Sequence, residues 1–432
     1  MTAAFVLFLS WVAYLTGGAG ALLFVAATGT ALWWWRSRGR DTARLRPLVV
    51  GFALGLVVWN GVSLAKYAIP DTGDQVSARI AEWGRDHGMG PVIDRVETAV
   101  YSKPPSVHPA LSLDLATTTT TPTTAATGST AVTMTTDPGA PTTVASATVR
   151  PPAALVPVFS PPLPGEGQWT PVARADGMDT MWATSVRPLR AYGGVVATMV
   201  AIDQTHVRAA LFNGRVEPGG TWARGDRVPA ALQPMLLATM NGGFRFKHIK
   251  GGYKTEGRVA KPLRVGDATL AVGRDGRLTM GRLGRDLRDD GSWVSLRQNL
   301  ELIVDGSRSN VAQGIRDGVW WGANFGNKVY VKRSAVCAMS DGRLAYVLAD
   351  PVDASQLADA LVALGCTTAM QLDINGQWPS FVTYGHPTTG ITAHSVDTRM
   401  TGNPRRFLDG SSKEFFAFFD ATSVPAGSVL DR

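Results

Sequence analysis

Three polar stretches in the second half of the chain have residue types suited to chemistry. Residues 241–244, Asn-Gly-Gly-Phe, follow an apolar run, and paired glycines let a backbone turn tightly and approach an anion or a sugar. Arg333 enters a second apolar run, where a guanidinium can hold a phosphate with two parallel hydrogen bonds. Asp373 ends a third, where a carboxylate suits acid–base work or a hard cation. Taken singly, each stretch has a plainer interpretation as a turn or a surface ion pair.

Four further residues lie close to these stretches in sequence. Asn375 and Trp378 follow Asp373 on one loop, and His248 follows the Asn-Gly-Gly stretch. Glu256, in a glycine-rich segment, is the candidate for a second carboxylate, although a solvated loop glutamate is the plainer interpretation. No His or Cys pair has metal-ligand spacing, and no calcium loop is present. The metal requirement therefore stays open, with a divalent cation near Asp373 as one option.

The elements that must position these residues are mostly short strands. Between residues 165 and 420, β-like runs alternate with Asn-Gly and Asp-Gly turns at hairpin spacing. Residues 355–364 instead have helical spacing and end at Gly365. The pattern predicts an α+β fold, with a β-rich mixed-sheet globular domain over residues 165–432.

The chain has two cysteines, and both lie in this domain. Cys337 falls in one predicted strand and Cys366 begins the strand after the helix, so a disulfide forms if those strands are neighbours. The alternative is two small buried apolar residues. No CxxC spacing is present, which excludes the usual thiol redox and zinc motifs.

The first 69 residues have the pattern of a membrane anchor. Residues 3–35 carry no charge and residues 47–65 form a second uncharged run, and a bilayer core of roughly 30 Å needs about 20 helical residues. Residues 36–46 hold five arginines against one aspartate, which the positive-inside rule places in the cytoplasm. We therefore expect two transmembrane helices in contact with lipid, a multi-pass cell-membrane location, and a C-terminal domain outside the cytoplasm.

Two segments connect this predicted anchor to the domain. Residues 70–110 include apolar residues at helical spacing with a Gly-Pro interruption, which predicts short amphipathic helices. Residues 111–164 are rich in Thr, Pro and Ala, with too little apolar surface to fold, and predict a disordered stalk.

The net charge of +8 does not point to nucleic acid. Of this charge, +5 lies in residues 1–69, and the rest of the chain shows no basic stripe with interleaved aromatic residues. Nucleic acid is therefore not an expected partner.

In their order and spacing, the three stretches resemble the phosphodiester glycosidase family, also called the uncovering-enzyme family. The resemblance covers roughly residues 191–419, and residues 297–300 and 415–419 are similar to an envelope-associated bacterial branch. The family's last motif is usually Leu-Asp-Gly-Gly-Gly-Ser. Here the Leu-Asp pair is kept, whereas Ile374, Asn375 and Gln377 replace two glycines and the serine.

The resemblance implies a hydrolase that cleaves sugar-1-phosphate diesters in an envelope glycopolymer or glycolipid. The alternative is a non-catalytic module that binds phosphosugars or polysaccharides on the same fold, because the replaced glycines change the backbone next to the carboxylate. The resemblance assigns the glycosidic carboxylate to Asp373, the phosphate to Arg333, a second carboxylate to Glu256, and substrate contacts to Asn241, Gly242, Gly243, Asn375, Trp378 and His248.

Overall fold

The structure is a computed structural model that describes residues 58–66, 76–116, 150–322, 329–374 and 376–432. The chain divides into a small unit, residues 1–71 and 75–93, and a large unit, residues 72–74 and 94–432. In the small unit, residues 58–66 are helical and α1 spans Val76–Gly84. A π-turn at Arg85–Met89 then leads into α2, Gly90–Tyr101. The two short helices predicted here are present, and they are separated by a kink at Gly88 with φ of 84°.

The prediction of two transmembrane helices is wrong as far as the structure describes the chain. No helix in the described ranges has both the length and the apolar character that crossing a bilayer requires. Of the two predicted spans, residues 3–35 and 47–57 lie outside the described residues, and residues 58–65 are helical in the described part of the chain. The lack of charge in these runs suggested the spans, but an uncharged run alone does not establish a long helix. The multi-pass membrane location and the transmembrane assignment depended on these helices and are withdrawn with them.

The segments on either side of residues 117–149 lie on the large unit. The Ala110 amide donates to the Gly193 carbonyl at 2.8 Å, and the Leu155 amide donates to the Gly167 carbonyl at 2.9 Å. Most of the stalk predicted from composition, residues 117–149, lies outside the described residues.

Three sheets with antiparallel strand pairs form the large unit, which confirms the prediction of a β-rich domain. The largest has the order β1-β2-β3-β14-β13-β15-β11-β12, and the others are β7-β6-β10-β8-β9 and β17-β16-β5-β18-β4. The strands are β1 Thr170–Ala175, β2 Met178–Val186, β3 Val196–Ile202, β4 Val207–Phe212, β5 Leu236–Asn241, β6 Tyr253–Thr255, β7 Arg258–Lys261, β8 Ala268–Gly273, β9 Leu278–Arg282, β10 Trp293–Gln298, β11 Val304–Asp305, β12 Arg308–Ser309, β13 Val331–Met339, β14 Leu344–Val352, β15 Cys366–Gln371, β16 Phe381–Gly385, β17 Thr392–Ser395 and β18 Phe415–Asp420.

Short helices complete the large unit. They are α3 Val311–Arg316, α4 Ala354–Ala363 and α5 Arg406–Asp409, with 3₁₀ turns at Ala230–Met235, Phe246–His248 and Val429–Asp431. The predicted helix is α4, which begins at a reciprocal cap between Asp353 and Gln356 and is followed by Gly365 at φ of 84°. Its buried face packs on the large sheet through Leu357 and Leu361.

The centre of the third sheet is an aromatic strand. β18 lies between β4 and β5, and its four phenylalanines are buried. Phe415 stacks on Phe212 with ring centroids 5.2 Å apart. Because Phe415 pairs with Asn241, the start of β18 lies beside the end of β5. This pairing brings residues 413 and 414 to the Asn-Gly-Gly turn.

A disulfide joins the two cysteines across neighbouring strands, as the sequence predicted. Cys337 of β13 and Cys366 of β15 are bonded with their Cα atoms 5.6 Å apart. Both side chains are buried in the cluster under α4. The bond therefore links the strand that follows α4 to the centre of the large sheet.

Replacing both Cys337 and Cys366 with alanine should lower the free energy of unfolding by about 2–4 kcal/mol, because the unfolded chain loses a covalent constraint. Urea denaturation of the full chain measures this change. Reductant should weaken the wild type to the same degree and leave the double variant unchanged. A difference below about 0.5 kcal/mol would show that the bond does not constrain the unfolded chain.

Candidate active site

The Asn-Gly-Gly turn after β5 is held at both backbone polar groups of Gly243. The Gly243 amide donates to Oε1 of Glu414 at 3.0 Å, and the Gly243 carbonyl accepts from Nζ of Lys413 at 2.9 Å. The next amide, that of Phe244, donates to Oδ1 of Asn299 at 3.1 Å. The donors that could have bound an anion at Gly243 and Phe244 are therefore used inside the protein.

Both glycines of the turn are closely packed. A Cβ on Gly242 would lie 2.5 Å from Oε1 of Glu414, and one on Gly243 would lie 3.1 Å from Nη2 of Arg297 and from Oδ1 of Asn299. Contacts under 3.0 Å force neighbouring atoms to move. A side chain at 242 would thus displace Glu414, and one at 243 would require Arg297 and Asn299 to move by a few tenths of an ångström.

Arg297 and Glu414 form an ion pair with no exposed side-chain surface. Nε of Arg297 lies 2.6 Å from Oε1 of Glu414, and Nη2 of Arg297 donates to the Phe244 carbonyl at 2.6 Å. Burial raises the pKa of Glu414, while the charges of Arg297 and Lys413 oppose that rise. Removing either partner would leave the other charge buried without its counter-ion.

Asp373 also contacts the turn, and it pairs with Lys413. Its amide donates to the Gly242 carbonyl at 3.2 Å, and its carbonyl accepts from Oγ of Ser334 at 2.9 Å. Nζ of Lys413 donates to Oδ2 of Asp373 and lies 5.1 Å from the centre of the Trp378 ring. The backbone of Asp373 is therefore fixed by two elements, and its carboxylate lies against an amine.

His248 interacts electrostatically with Asp373 and with three basic side chains. His248 is exposed, and partial desolvation and the charge of Lys247 hold its pKa below the usual value. Asp373 opposes this shift, whereas Arg245 and Lys413 add to it. His248 is therefore close enough to Asp373 and to these basic side chains for their charges to affect its pKa.

The side chain of Asn241 contacts the protein interior. Its Oδ1 accepts from the Ser380 amide at 3.0 Å and from the Tyr346 hydroxyl at 3.2 Å, and its Nδ2 donates to Oγ of Ser334 at 3.2 Å. Asn241 therefore joins β5 to β13, β14 and the segment before β16. Trp378 is also buried, with 3% of its surface exposed.

Arg333 is buried beneath the site. Its guanidinium donates to the carbonyls of Val352 at 3.0 Å, Trp321 at 2.8 Å and Val329 at 3.2 Å. Burial lowers its pKa to about 10. Each of its three nitrogens donates to a backbone carbonyl, so a phosphate would have to displace structural hydrogen bonds.

The structure places Glu256 in a different network from Asp373. Its carboxylate accepts from the amides of Ala223 at 2.8 Å and Arg224 at 2.9 Å, and from Nδ2 of Asn213 at 3.3 Å. These contacts hold the loop before residue 225. Asn375 lies outside the described residues.

Sequence reasoning missed Lys413, Glu414 and the role of Arg297. The available signals were the Arg-Gln-Asn stretch at residues 297–299 and the charged dipeptide directly before the aromatic strand. In the described part of the chain, no group of three or more His, Cys, Asp or Glu residues is placed to hold a metal. The arrangement offers one carboxylate beside an amine, which can activate water and stabilise a leaving phosphate.

A family model for phosphodiester glycosidases matches residues 235–375. The match contains the Asn-Gly-Gly turn, Arg297, Arg333 and Asp373, and it confirms the resemblance that the motifs indicated. Members of the family that this model describes are hydrolases. No curated protein matches the chain.

Solved structures with a similar chain course include the zebrafish N-acetylglucosamine-1-phosphodiester alpha-N-acetylglucosaminidase catalytic domain, auto-inhibited by its pro-peptide. That pair is 16% identical with a TM-score of 0.38, and the match covers 62% of this chain and 86% of the other. A hypothetical protein from Synechocystis is 12% identical, with a TM-score of 0.38 and coverage of 58% and 64%. A protein from Burkholderia pseudomallei described as exported is 13% identical, with a TM-score of 0.30 and coverage of 54% and 75%. Likenesses this low do not decide function.

Replacing Gly243 with alanine should lower the free energy of unfolding by about 1–3 kcal/mol, because the added methyl group displaces Arg297 or Asn299. Chemical denaturation measures the loss. Gly225→Ala is the control, since a Cβ there meets nothing within 4 Å. Equal stability of the two variants would contradict the packing described for the turn.

Arg333→Met should lower the free energy of unfolding by about 3 kcal/mol or more, because three buried carbonyls lose their donor. Thermal and urea unfolding measure this effect. Arg274→Met, which changes an exposed arginine on a hairpin, is the control. If Arg333→Met kept full stability and lost only affinity for phosphate, Arg333 would be a ligand-binding residue instead.

Proposed function

We propose that the large unit hydrolyses the bond between a sugar anomeric carbon and a phosphodiester. The observation that carries this proposal is the buried Asp373–Lys413 pair against the Gly242–Gly243 turn. In cleavage of a glycosyl phosphate, a carboxylate can accept a proton from water and a neighbouring amine can stabilise the leaving phosphate. The family match over residues 235–375 supports the same reaction class.

In the proposed step, Asp373 accepts a proton from a water that attacks the anomeric carbon. The bond from that carbon to the phosphate oxygen breaks, and its electron pair stays on the oxygen. The products are a free sugar and a phosphomonoester. Because the leaving phosphate is weakly basic, it needs positive charge more than a proton, and Lys413 supplies that charge. A second carboxylate is therefore not needed for departure of the leaving group.

The substrate we propose is a sugar-1-phosphate diester within an envelope glycopolymer or glycolipid. The amine of Lys413, which lies against the Asp373 carboxylate, supports an anionic substrate. The disulfide between Cys337 and Cys366 is consistent with oxidising surroundings, where such polymers occur.

A second candidate function is phosphosugar binding without turnover. Specific contacts favour it: Glu414 and Asn299 occupy the turn amides, and Arg333 donates only to backbone carbonyls in its described contacts. In that case the turn amides and Arg333 would stabilise the fold, and the ligand would bind to basic side chains such as Lys413. Turnover by the wild-type chain decides between the two functions.

Asp373→Asn should lower kcat on a sugar-1-phosphodiester by at least about 100-fold, because the amide cannot accept the proton of water. Sugar release by the full chain from a panel of sugar-1-phosphodiesters measures this loss. Lys413→Met should lower kcat and weaken binding together. Asp289→Asn, which alters a more exposed Lys–Asp pair with Lys254, is the matched control and should keep wild-type rates.

Two results would overturn the glycosidase proposal. One is full turnover by Asp373→Asn in a correctly folded chain. The other is no sugar release by the wild type on any substrate of the panel, with or without divalent cation. Saturable binding of a sugar phosphate in that second case would establish the binding module.

A further inference from the structure

We propose that Glu414 and Arg297 are positioning residues for the reaction at Asp373. In this inference, which rests on the proposed function, the buried pair fixes Gly243 and Lys413, and Lys413 in turn holds the carboxylate. Neither residue of the pair touches substrate. Their contribution is to set the place of the groups that do.

The geometry at Glu414 supports this role first. Oε1 of Glu414 accepts two hydrogen bonds, from the Gly243 amide at 3.0 Å and from Nε of Arg297 at 2.6 Å. The preceding residue, Lys413, donates to the carbonyl of the same Gly243. Consecutive residues thus hold the two polar groups of one glycine, so a shift of Glu414 moves Lys413 as well.

Arg297 is itself fixed from several sides. It donates to the carbonyls of Phe244 and Gln298, and its guanidinium lies 4.9 Å from the Phe246 ring centre and 5.9 Å from that of Tyr253. Its neighbour Asn299 binds the Phe244 amide and the carbonyl of Gln371, at the end of the strand that leads to Asp373. The Arg-Gln-Asn stretch therefore joins the glycine turn to the strand carrying the carboxylate.

A contribution to stability alone does not explain why the Arg297–Glu414 pair is buried. Burying two charges costs desolvation energy that their attraction roughly offsets, and apolar replacements are often as stable. The hydrogen bonds of a buried ion pair do, however, restrict the positions of the residues that contact it. Displacement of reacting groups by about 1 Å can cost roughly 100-fold in rate, so restriction of this kind has a catalytic consequence.

The chain offers a matched control in a second buried pair, Arg187 with Glu166. Its charged atoms are also 2.6 Å apart, and 4% and 0% of the two side chains are exposed. Its partners are the Leu163 amide and the Ala110 carbonyl, which belong to the segments flanking residues 117–149. Glu166→Gln therefore perturbs a similar pair that has no described contact with the glycine turn.

The test compares Glu414→Gln with Glu166→Gln in the full chain. Glutamine at 414 can still accept from the Gly243 amide, so the fold should persist with a similar fall in melting temperature for both variants. Glu414→Gln should lower kcat by about 10- to 100-fold with little change in KM. Glu166→Gln should keep kcat within about twofold of the wild type, since it only alters stability. Glu414→Asp should not restore the rate, because the shorter side chain withdraws the carboxylate.

A crystal structure of Glu414→Gln separates this inference from the proposed function. Displacement of the Lys413 amine from Asp373 and from the Gly243 carbonyl is the expected result, whether or not the wild type turns over any substrate. An unmoved Lys413 would overturn the inference, as would wild-type kcat in Glu414→Gln. If the wild type shows no turnover but Lys413 moves, the positioning contact stands and the glycosidase proposal fails.

Discussion

The position of one residue, Gly243, is the constraint on which the site depends. Glu414 accepts a hydrogen bond from the Gly243 amide, and Lys413 donates one to the Gly243 carbonyl. Two consecutive residues directly before β18 therefore fix the end of β5. The aromatic strand makes this possible, because Phe415 pairs with Asn241 and carries the dipeptide to the turn. Only glycine permits the approach, since a Cβ on Gly242 would collide with the Glu414 carboxylate. The register of the sheet, the packing of the aromatic strand and the two glycines thus all contribute to the contact of Lys413 and Glu414 with Gly243.

The same contact organises the electrostatics. Lys413 faces Asp373 on one side of the turn, and Glu414 faces Arg297 on the other, so two opposite pairs lie side by side. Each charge is buried, and such charges are tolerated only when partners and hydrogen bonds satisfy them. Arg333 shows the contrasting solution, in which a buried guanidinium binds backbone carbonyls. Arg333 therefore stabilises the backbone, whereas the amine of Lys413, which lies beside a carboxylate, can also contact a ligand.

Sequence patterns predicted the parts of the structure that depend on residues close together in the sequence. Residues 355–364 predicted α4 to within one residue at each end, and the paired glycines and Asp373 marked the turn and the carboxylate. Lys413 is 40 residues from Asp373, so only the pairing of β18 with β5 brings it there, and no periodicity reports that distance. The burial of Arg333 was hidden for a related reason, because its carbonyl partners come from three separate positions. The expectation of spans in residues 3–35 and 47–65 came from missing charge, and the helices that the structure describes are too short for that role.

The departure from the family's glycine-rich motif can be understood from packing around Ile374. A Cβ on Gly322 would lie 2.9 Å from Cδ1 of Ile374 and 2.6 Å from Cζ of Phe244, so these two side chains meet at a glycine. Gly322 also has φ of 71°, a conformation that disfavours other residues. A glycine at 322 thus leaves room for the side chain at 374, and Ile374 can extend toward Phe244 instead of across the Asp373 carboxylate. The exchange of a glycine for isoleucine is thus accommodated by packing against Phe244 at Gly322, while the Asp373 carboxylate keeps its pairing with Lys413, on which the proposed hydrolysis depends.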